Sequence, residues 1–120
     1  MKPVEQVVLD QDRLSALYSE LGAAGAEDVV CRAMEELAQR LARCDTLYHQ
    51  SDWSSLRKNT RSLIAIADQV GMFTLSKVAA DVTACIDRND HVALAATLSR
   101  LIRTGERSLT AVWDMHDIPI

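Results

Sequence analysis

The sequence predicts an all-α protein: an antiparallel up-down-up-down four-helix bundle preceded by a short N-terminal helix. Both prolines, Pro3 and Pro119, stand at the extremities, so the strongest helix breaker is missing from the interior. Apolar residues recur at alternating steps of three and four through four long segments, the spacing of helices that pack at shallow angles. The breaks between these segments are short, which favours antiparallel neighbours. Residues 1–120 are therefore interpreted as one domain.

The first two helices are predicted at about 12–21 and 26–49. Asp10 or Asp12 can cap the start of the first, and Gly22 suits the left-handed residue past its end. The residues predicted to face inward are Leu14, Leu17, Tyr18 and Leu21 in the first helix, and Val30, Met34, Leu37, Leu41, Cys44 and Tyr48 in the second.

The next helix is predicted at about 52–70, capped by Ser51 or Asp52 and stopped at Gly71. Its inward residues are predicted to be Trp53, Leu56, Thr60, Leu63, Ala67 and Val70.

The last two helices are predicted at about 74–88 and 90–114. Thr74 is the expected cap of the former, Asn89 or Asp90 that of the latter, and Gly105 is expected to permit a close approach between helices. The inward residues are predicted to be Leu75, Val78, Ala79, Val82 and Ile86, followed by Ala95, Leu98, Ile102, Leu109 and Val112.

Bulk composition narrows the function classes. The net charge of −4 and the pI near 5.3 disfavour non-specific nucleic-acid binding, which needs a net cationic face. The sequence contains no stretch of about 18–20 apolar residues that could span a membrane, and the N-terminus lacks the apolar region of a signal peptide. We therefore expect a cytoplasmic protein. Cys31, Cys44 and Cys85 are widely spaced, so we expect no metal site and no cofactor.

One surface of the predicted third helix carries an unusual combination of side chains. Arg61, Ile64, Ala65 and Asp68 follow one another at spacings that share a face, with Arg57 and Lys58 on the same side. An isoleucine beside an alanine leaves a small apolar spot with cationic neighbours. On its own, this pattern also fits an ordinary solvated helix face.

The stretch "TRSLIAIADQVG", residues 60–71, resembles the motif A-H-x-L-K-G-x-A-x-x-x-G of histidine phosphotransfer (HPt) domains in two-component phosphorelays. The leucine, second alanine and final glycine of the motif fall on Leu63, Ala67 and Gly71, and its small residue falls on Ala65. The segments "VLDQDRLSALYSELG", "SDWSSL" and "LSKVAADVTACI" are similar to the flanking parts of such domains, so the resemblance covers nearly the whole chain.

Two departures change what the resemblance implies. The phosphoacceptor histidine is replaced by Arg61, and the lysine three residues later by Ile64. A neutral imidazole is a nucleophile near pH 7, whereas a guanidinium stays protonated and only donates hydrogen bonds. The resemblance therefore implies a non-catalytic signalling module that binds a response-regulator receiver domain, or a histidine kinase, without accepting phosphate. The expected docking surface is Arg57, Lys58, Arg61, Ile64, Ala65 and Asp68.

Two alternatives remain open at this point. The chain could be a helical-bundle dimerisation or adaptor protein unrelated to phosphorelays, since a shared fold does not establish a shared function. It could also be an active phosphotransfer protein that uses His49, His91 or His116, although none of these has the small-residue surroundings of the motif.

Overall fold

A computed structural model describes residues 9–116, and side chains as far as residue 112. These residues form four helices and no strand: α1 Gln11–His49, α2 Trp53–Gln69, α3 Phe73–Asp87 and α4 His91–His116. The all-α prediction is thereby confirmed. Helix α1 packs against α2 and α4, and α3 packs against α2 and α4, so every helix has two neighbours.

Helix α1 contains a break where the sequence predicts a helix end. Gly22 has φ 76° and ψ 170°, a backbone conformation outside the helical region. The predicted gap before residue 26 is absent, because helical structure resumes directly after Gly22 and continues to His49.

Aspartates begin three of the four helices. The carboxylates of Asp10, Asp52 and Asp90 each accept a hydrogen bond from the backbone N–H three residues later, at 3.0, 3.2 and 3.1 Å. The predicted cap at Thr74 is wrong. Helix α3 begins one residue earlier, at Phe73, and its N-cap residue Met72 provides no side-chain hydrogen bond.

The three connections between helices share one geometry. Each has three residues, 50–52, 70–72 and 88–90, and the middle one has positive φ: Ser51 at 56°, Gly71 at 82° and Asn89 at 55°. The paired backbone bonds of a Schellman motif close each helix, as in Met72 N–H to Ala67 O and Gly71 N–H to Asp68 O, at 2.8 and 3.2 Å. The residue after each connection starts the next helix.

The core follows the predicted stripes closely in α1 after Gly22, in α2 and in α3. In those three stripes only Tyr48, Trp53 and Ile86 remain partly exposed. In α4 the predicted phase is partly wrong: Ala95 is exposed, and Leu94 and Leu101 take the most buried positions. The predicted close approach at Gly105 is confirmed, since a Cβ there would collide with the δ-methyl groups of Leu41.

The start of α1 is less covered than the sequence predicts. Leu17 is buried, but Tyr18 and Leu21 are 39% and 48% exposed. The segment before Gly22 is held mainly at its first turn, where Asp10 N–H donates to Gly71 O at 2.8 Å and Arg13 Nε donates to Gln69 O at 2.7 Å. Side chains farther along this segment therefore have fewer neighbours to cover them.

Candidate functional site

The predicted docking surface lies on the outer side of α2. Lys58, Arg61, Ala65 and Asp68 are exposed, and Ile64 is partly buried against the core. An open surface depression runs along the helix between these side chains. It is lined by Ser54, Arg57, Lys58, Arg61, Ser62 and Ala65, and we call it the α2 depression.

The α2 depression includes only part of the predicted surface. Among the described residues, the six that line the depression all belong to α2, so this part of its wall consists of side chains of one helix. Ile64 and Asp68 lie outside its lining. Because Ile64 turns partly into the core, the apolar contribution to this surface is smaller than the sequence predicts.

Arg57 is held by a carboxylate from another helix. Its guanidinium makes a two-point contact with Asp87, the last residue of α3, with Nε–Oδ1 at 2.6 Å and a terminal nitrogen to Oδ2 at 3.3 Å. The hydrogen bond to Asp87 raises the pKa of Arg57, and the same bond lowers the pKa of Asp87. The sequence places Arg57 on a free cationic surface, whereas the structure gives it a partner.

Lys58 and Arg61 differ from Arg57 in this respect. Among residues 9–112 neither side chain forms an ion pair within 4 Å. The positive charge of Arg61, one helical turn after Arg57, contributes after Arg57 to lowering the pKa of Asp87. Considering residues 9–112, the α2 depression thus has one ion-paired arginine, Arg57, and two cations without an ion pair, Lys58 and Arg61.

The inner side of α2 carries a polar network that the sequence analysis missed. Asn59 is buried, and its Nδ2 donates to Arg40 O at 2.8 Å and contacts Cys44 Sγ at 3.2 Å. Its Oδ1 accepts from the Arg40 guanidinium at 3.1 Å. Asn59 follows the core residue Leu56 by three positions and precedes Leu63 by four, and this register was the available signal of burial.

A second polar contact joins α2 to α3. The hydroxyl oxygens of Thr60 and Thr83 lie 2.9 Å apart, and both are also close to carbonyl oxygens of their own helices, Arg57 O and Ala79 O. Thr60 is fully buried, as the sequence predicts. Asn59 is hydrogen-bonded to α1 and Thr60 to α3, and Arg61 follows directly after them. These bonds fix the rotation of α2 and so the direction in which its outer surface faces.

His49 and His91 lie away from Arg61. The ring of His91 lies 5.1 Å from that of Trp53, which in turn packs against Tyr48 at 5.8 Å. The neighbouring His49 contacts Tyr48 and forms a hydrogen bond between Nδ1 and Asp45 O at 2.8 Å. Trp53 precedes Arg61 by eight residues, about 12 Å along the helix. The third candidate, His116, has its side chain outside the described part.

A second depression lies between α1 and α4. Within the described part of the chain, its lining is mostly apolar and contains two carboxylates, those of Asp45 and Glu106, and no basic residue; the other described lining residues are Ala38, Leu41, Ala42, Ile102 and Leu109. The described linings of the two depressions therefore differ in the sign of their charge.

The cysteines and acidic residues offer no metal site within the described range: no group of three or more potential ligands occurs there. Cys44 and Cys85 are buried and Cys31 is exposed, and none is in a disulfide. Burial raises the pKa of the Cys44 thiol to about 11, so this thiol stays protonated at neutral pH.

The helices give no indication of a membrane span. Within the described part of the chain, no helix is both long and apolar enough to cross a bilayer.

Comparisons with known proteins leave the family open. No family model matches the chain, and neither a curated protein nor a solved structure is significantly similar to it. What this surface does must therefore be argued from its own chemistry.

Proposed function

We propose that this chain is a non-catalytic HPt-like module of two-component signalling, which binds a receiver domain or related phosphorelay partner through the outer surface of α2. The observation that supports it most directly is the pair of cations, Lys58 and Arg61, beside the small residue Ala65. Neither cation forms an ion pair within the described part of the chain. An acidic pocket on a partner would supply the missing carboxylates.

The proposal includes the topology of the fold. We propose an up-down-up-down antiparallel bundle in which residues 11–21 act as the short leading helix ahead of Gly22. Three-residue connections and the ring of helix contacts support this arrangement, because short connections join antiparallel neighbours. The proposed setting is the cytoplasm, where receiver domains and their partners meet.

Arg61 would bind its partner without taking a phosphoryl group. A guanidinium has five N–H donors and no lone pair available at neutral pH, so it forms two parallel hydrogen bonds to a carboxylate. Once desolvated, hydrogen bonds to a charged group contribute about 1.5–3 kcal/mol. Occupying the receiver in this way would block its phosphorylation or dephosphorylation.

The positions of His49 and His91 support a role without phosphotransfer. Both rings contact aromatic side chains near the α1–α2 connection, and neither lies on the α2 depression. Incubation with a labelled phosphorylated receiver or kinase tests this point. Acid-labile label on the chain, lost when one histidine is replaced, would contradict it.

The binding test compares Arg61→Ala with a matched change elsewhere. Receiver domains from the same cell are titrated with the purified chain, and a binding receiver is then titrated with Arg61→Ala, Ile64→Glu and Arg107→Ala. Losing a charge-assisted bond should weaken binding about 10-fold or more for Arg61→Ala. Arg107 is an exposed arginine of α4 and serves as the charge-matched control. Equal affinities for Arg61→Ala and Arg107→Ala would remove Arg61 from the interface.

A second candidate is a dimerisation or adaptor role. Tyr18 and Leu21 favour it, since both are substantially exposed and lie three residues apart on one helix face. Sedimentation of the wild-type chain and of Tyr18→Ser/Leu21→Ser decides between the two roles. A stable dimer abolished by these changes, with no receiver binding, would favour the adaptor role.

A further inference from the structure

The bridge between Arg57 and Asp87 connects the proposed binding surface to a different helix. Arg57 lines the α2 depression, while Asp87 is the last residue of α3. The two contacts of 2.6 and 3.3 Å have the geometry with which an arginine binds any carboxylate. Asp87 therefore occupies, from within the chain, the position that an acidic ligand of Arg57 would take.

Asp87 also influences the neighbouring cation. Arg61 follows Arg57 by one helical turn and contributes to the stability of the charged Asp87 carboxylate, so the attraction between Arg61 and Asp87 is mutual. An oxyanion arriving at the α2 depression would meet Lys58, Arg61 and Arg57, and would be repelled by Asp87 beside them.

The bridge is accessible enough to exchange. The side chains of Arg57 and Asp87 are 39% and 48% exposed, so water can replace either partner. Exposed ion pairs are weak because both charges remain well hydrated when they separate. A ligand with two negatively charged oxygens could thus displace Asp87 from Arg57 without disturbing the core.

We propose that Asp87 is an internal competitor that lowers the affinity of the α2 depression for oxyanions, and that binding transfers Arg57 from Asp87 to the ligand. The ligand class is a phosphate or carboxylate group on a partner protein, recognised by Arg57, Lys58 and Arg61. The hydroxyl groups of Ser54 and Ser62 line the same depression and can donate to the same oxygens. This inference rests on the proposed function for the identity of the partner, but not for the chemistry of the site.

The test uses inorganic phosphate as the probe and Asp81 as the matched control. Asp81 is also on α3 and exposed, but its ion pair is with Arg100 of α4, at 3.7 Å, and not with α2. Asp81→Asn therefore removes one negative charge and one surface ion pair from the same helix without freeing Arg57. The Nε–H resonances of Arg57 and Arg61 are followed by NMR during titration of the full chain with phosphate at constant ionic strength.

The expected result is specific to Asp87. Asp87→Asn should reduce the phosphate concentration for half-maximal shift of the Arg57 and Arg61 signals about threefold relative to wild type, and Asp81→Asn should leave it nearly unchanged. Adding Arg57→Gln to Asp87→Asn should cancel most of the gain, as measured on the Arg61 signal alone. Asp87→Ser gives the same measurement if the asparagine variant does not fold.

Three outcomes would overturn the inference: no phosphate-dependent shift in Asp87→Asn, equal midpoints for Asp87→Asn and wild type, or an equal gain in Asp81→Asn. Receiver binding, measured on the same variants, separates this inference from the proposed function. A normal phosphate response without receiver binding contradicts the proposed function and leaves the inference intact. The opposite case is receiver binding that needs Arg61, while Asp87→Asn changes neither receiver binding nor the phosphate midpoint. That result contradicts the inference and leaves the proposed function intact.

Discussion

The inner and outer sides of helix α2 differ in how their polar side chains are placed. On the inner side, Asn59 and Thr60 are buried and hydrogen-bonded to the neighbouring helices. On the outer side, Lys58 and Arg61 face solvent without an ion pair in the described part of the chain. The inner side fixes the helix in place, and the outer side is the proposed binding surface. Substitutions on the two sides should therefore separate stability from binding.

The largest expected effect is on the buried apolar stripe of the inner side. Leu63 is fully buried, so Leu63→Ala should lower the free energy of unfolding by about 2–5 kcal/mol through lost burial and a residual cavity. Ile64 has a side chain of the same size but is partly exposed, and Ile64→Ala should cost clearly less. Chemical denaturation of both variants measures the difference. Similar losses of unfolding free energy in the two variants would mean that Leu63 and Ile64 do not differ in burial as described.

The next effect concerns the buried polar network. Asn59→Ala removes both hydrogen bonds between the amide and Arg40, and should cost about 1–3 kcal/mol because the Arg40 guanidinium loses a partner in a partly buried place. Ser62, three residues later, lines the outer depression, and Ser62→Ala should change stability by less than about 0.5 kcal/mol. Equal denaturation midpoints for the two variants would contradict a structural role for Asn59.

A third effect appears only at alkaline pH. Burial raises the pKa of the Cys44 thiol from 9.0 to about 11, so between these values the unfolded chain loses a proton that the folded chain keeps. Stability from this group is complete below pH 9 and is lost as pH rises towards 11, with a slope of at most about 1.4 kcal/mol per pH unit. The difference in unfolding free energy between wild type and Cys44→Ala should shrink over this range. A difference independent of pH would show that the folded thiol titrates normally.

The smallest effect is expected on the outer side. Arg61 is exposed, so Arg61→Gln should change the free energy of unfolding by less than about 0.5 kcal/mol. Thermal unfolding monitored by circular dichroism provides the measurement. A large loss would show that Arg61 supports the fold, and the comparison between the two sides of α2 would fail.

Sequence periodicity was sufficient to predict most of what α1 after Gly22, α2 and α3 bury, but not what α4 buries. The stripe from Val30 to Cys44 and the stripe from Leu56 to Val70 are buried as predicted, because an apolar residue every three or four positions permits one orientation only. The caps of α2 and α4 were predicted only as pairs, Ser51 or Asp52 and Asn89 or Asp90, and in each pair the structure has the aspartate as the cap.

The remaining features depend on how helices meet. Arg57 and Asp87 are thirty residues apart, and only the relative position of α2 and α3 brings them together. Tyr18 and Leu21 have an inward pattern, yet their exposure depends on whether a neighbour reaches the start of α1. Helix α4 shows the same limit, since a small residue such as Ala95 fits either side of an apolar stripe.

The link between Asp10 and Gly71 has a consequence for how the molecule opens. Gly71, in the connection after α2, donates its N–H to Asp68 O, and its carbonyl accepts the first backbone hydrogen bond of the N-terminal segment, from Asp10 N–H. A Cβ at this position would lie 3.0 Å from Arg13 Cβ. The segment between this contact and the break at Gly22 has few buried side chains of its own. We expect it to detach and reattach as one local unfolding unit, with Gly22 as the hinge and the rest of the bundle intact. Each opening would expose the α2–α3 connection to solvent. Local unfolding of the N-terminal segment would therefore remove a contact from the end of α2, the helix that carries Arg61.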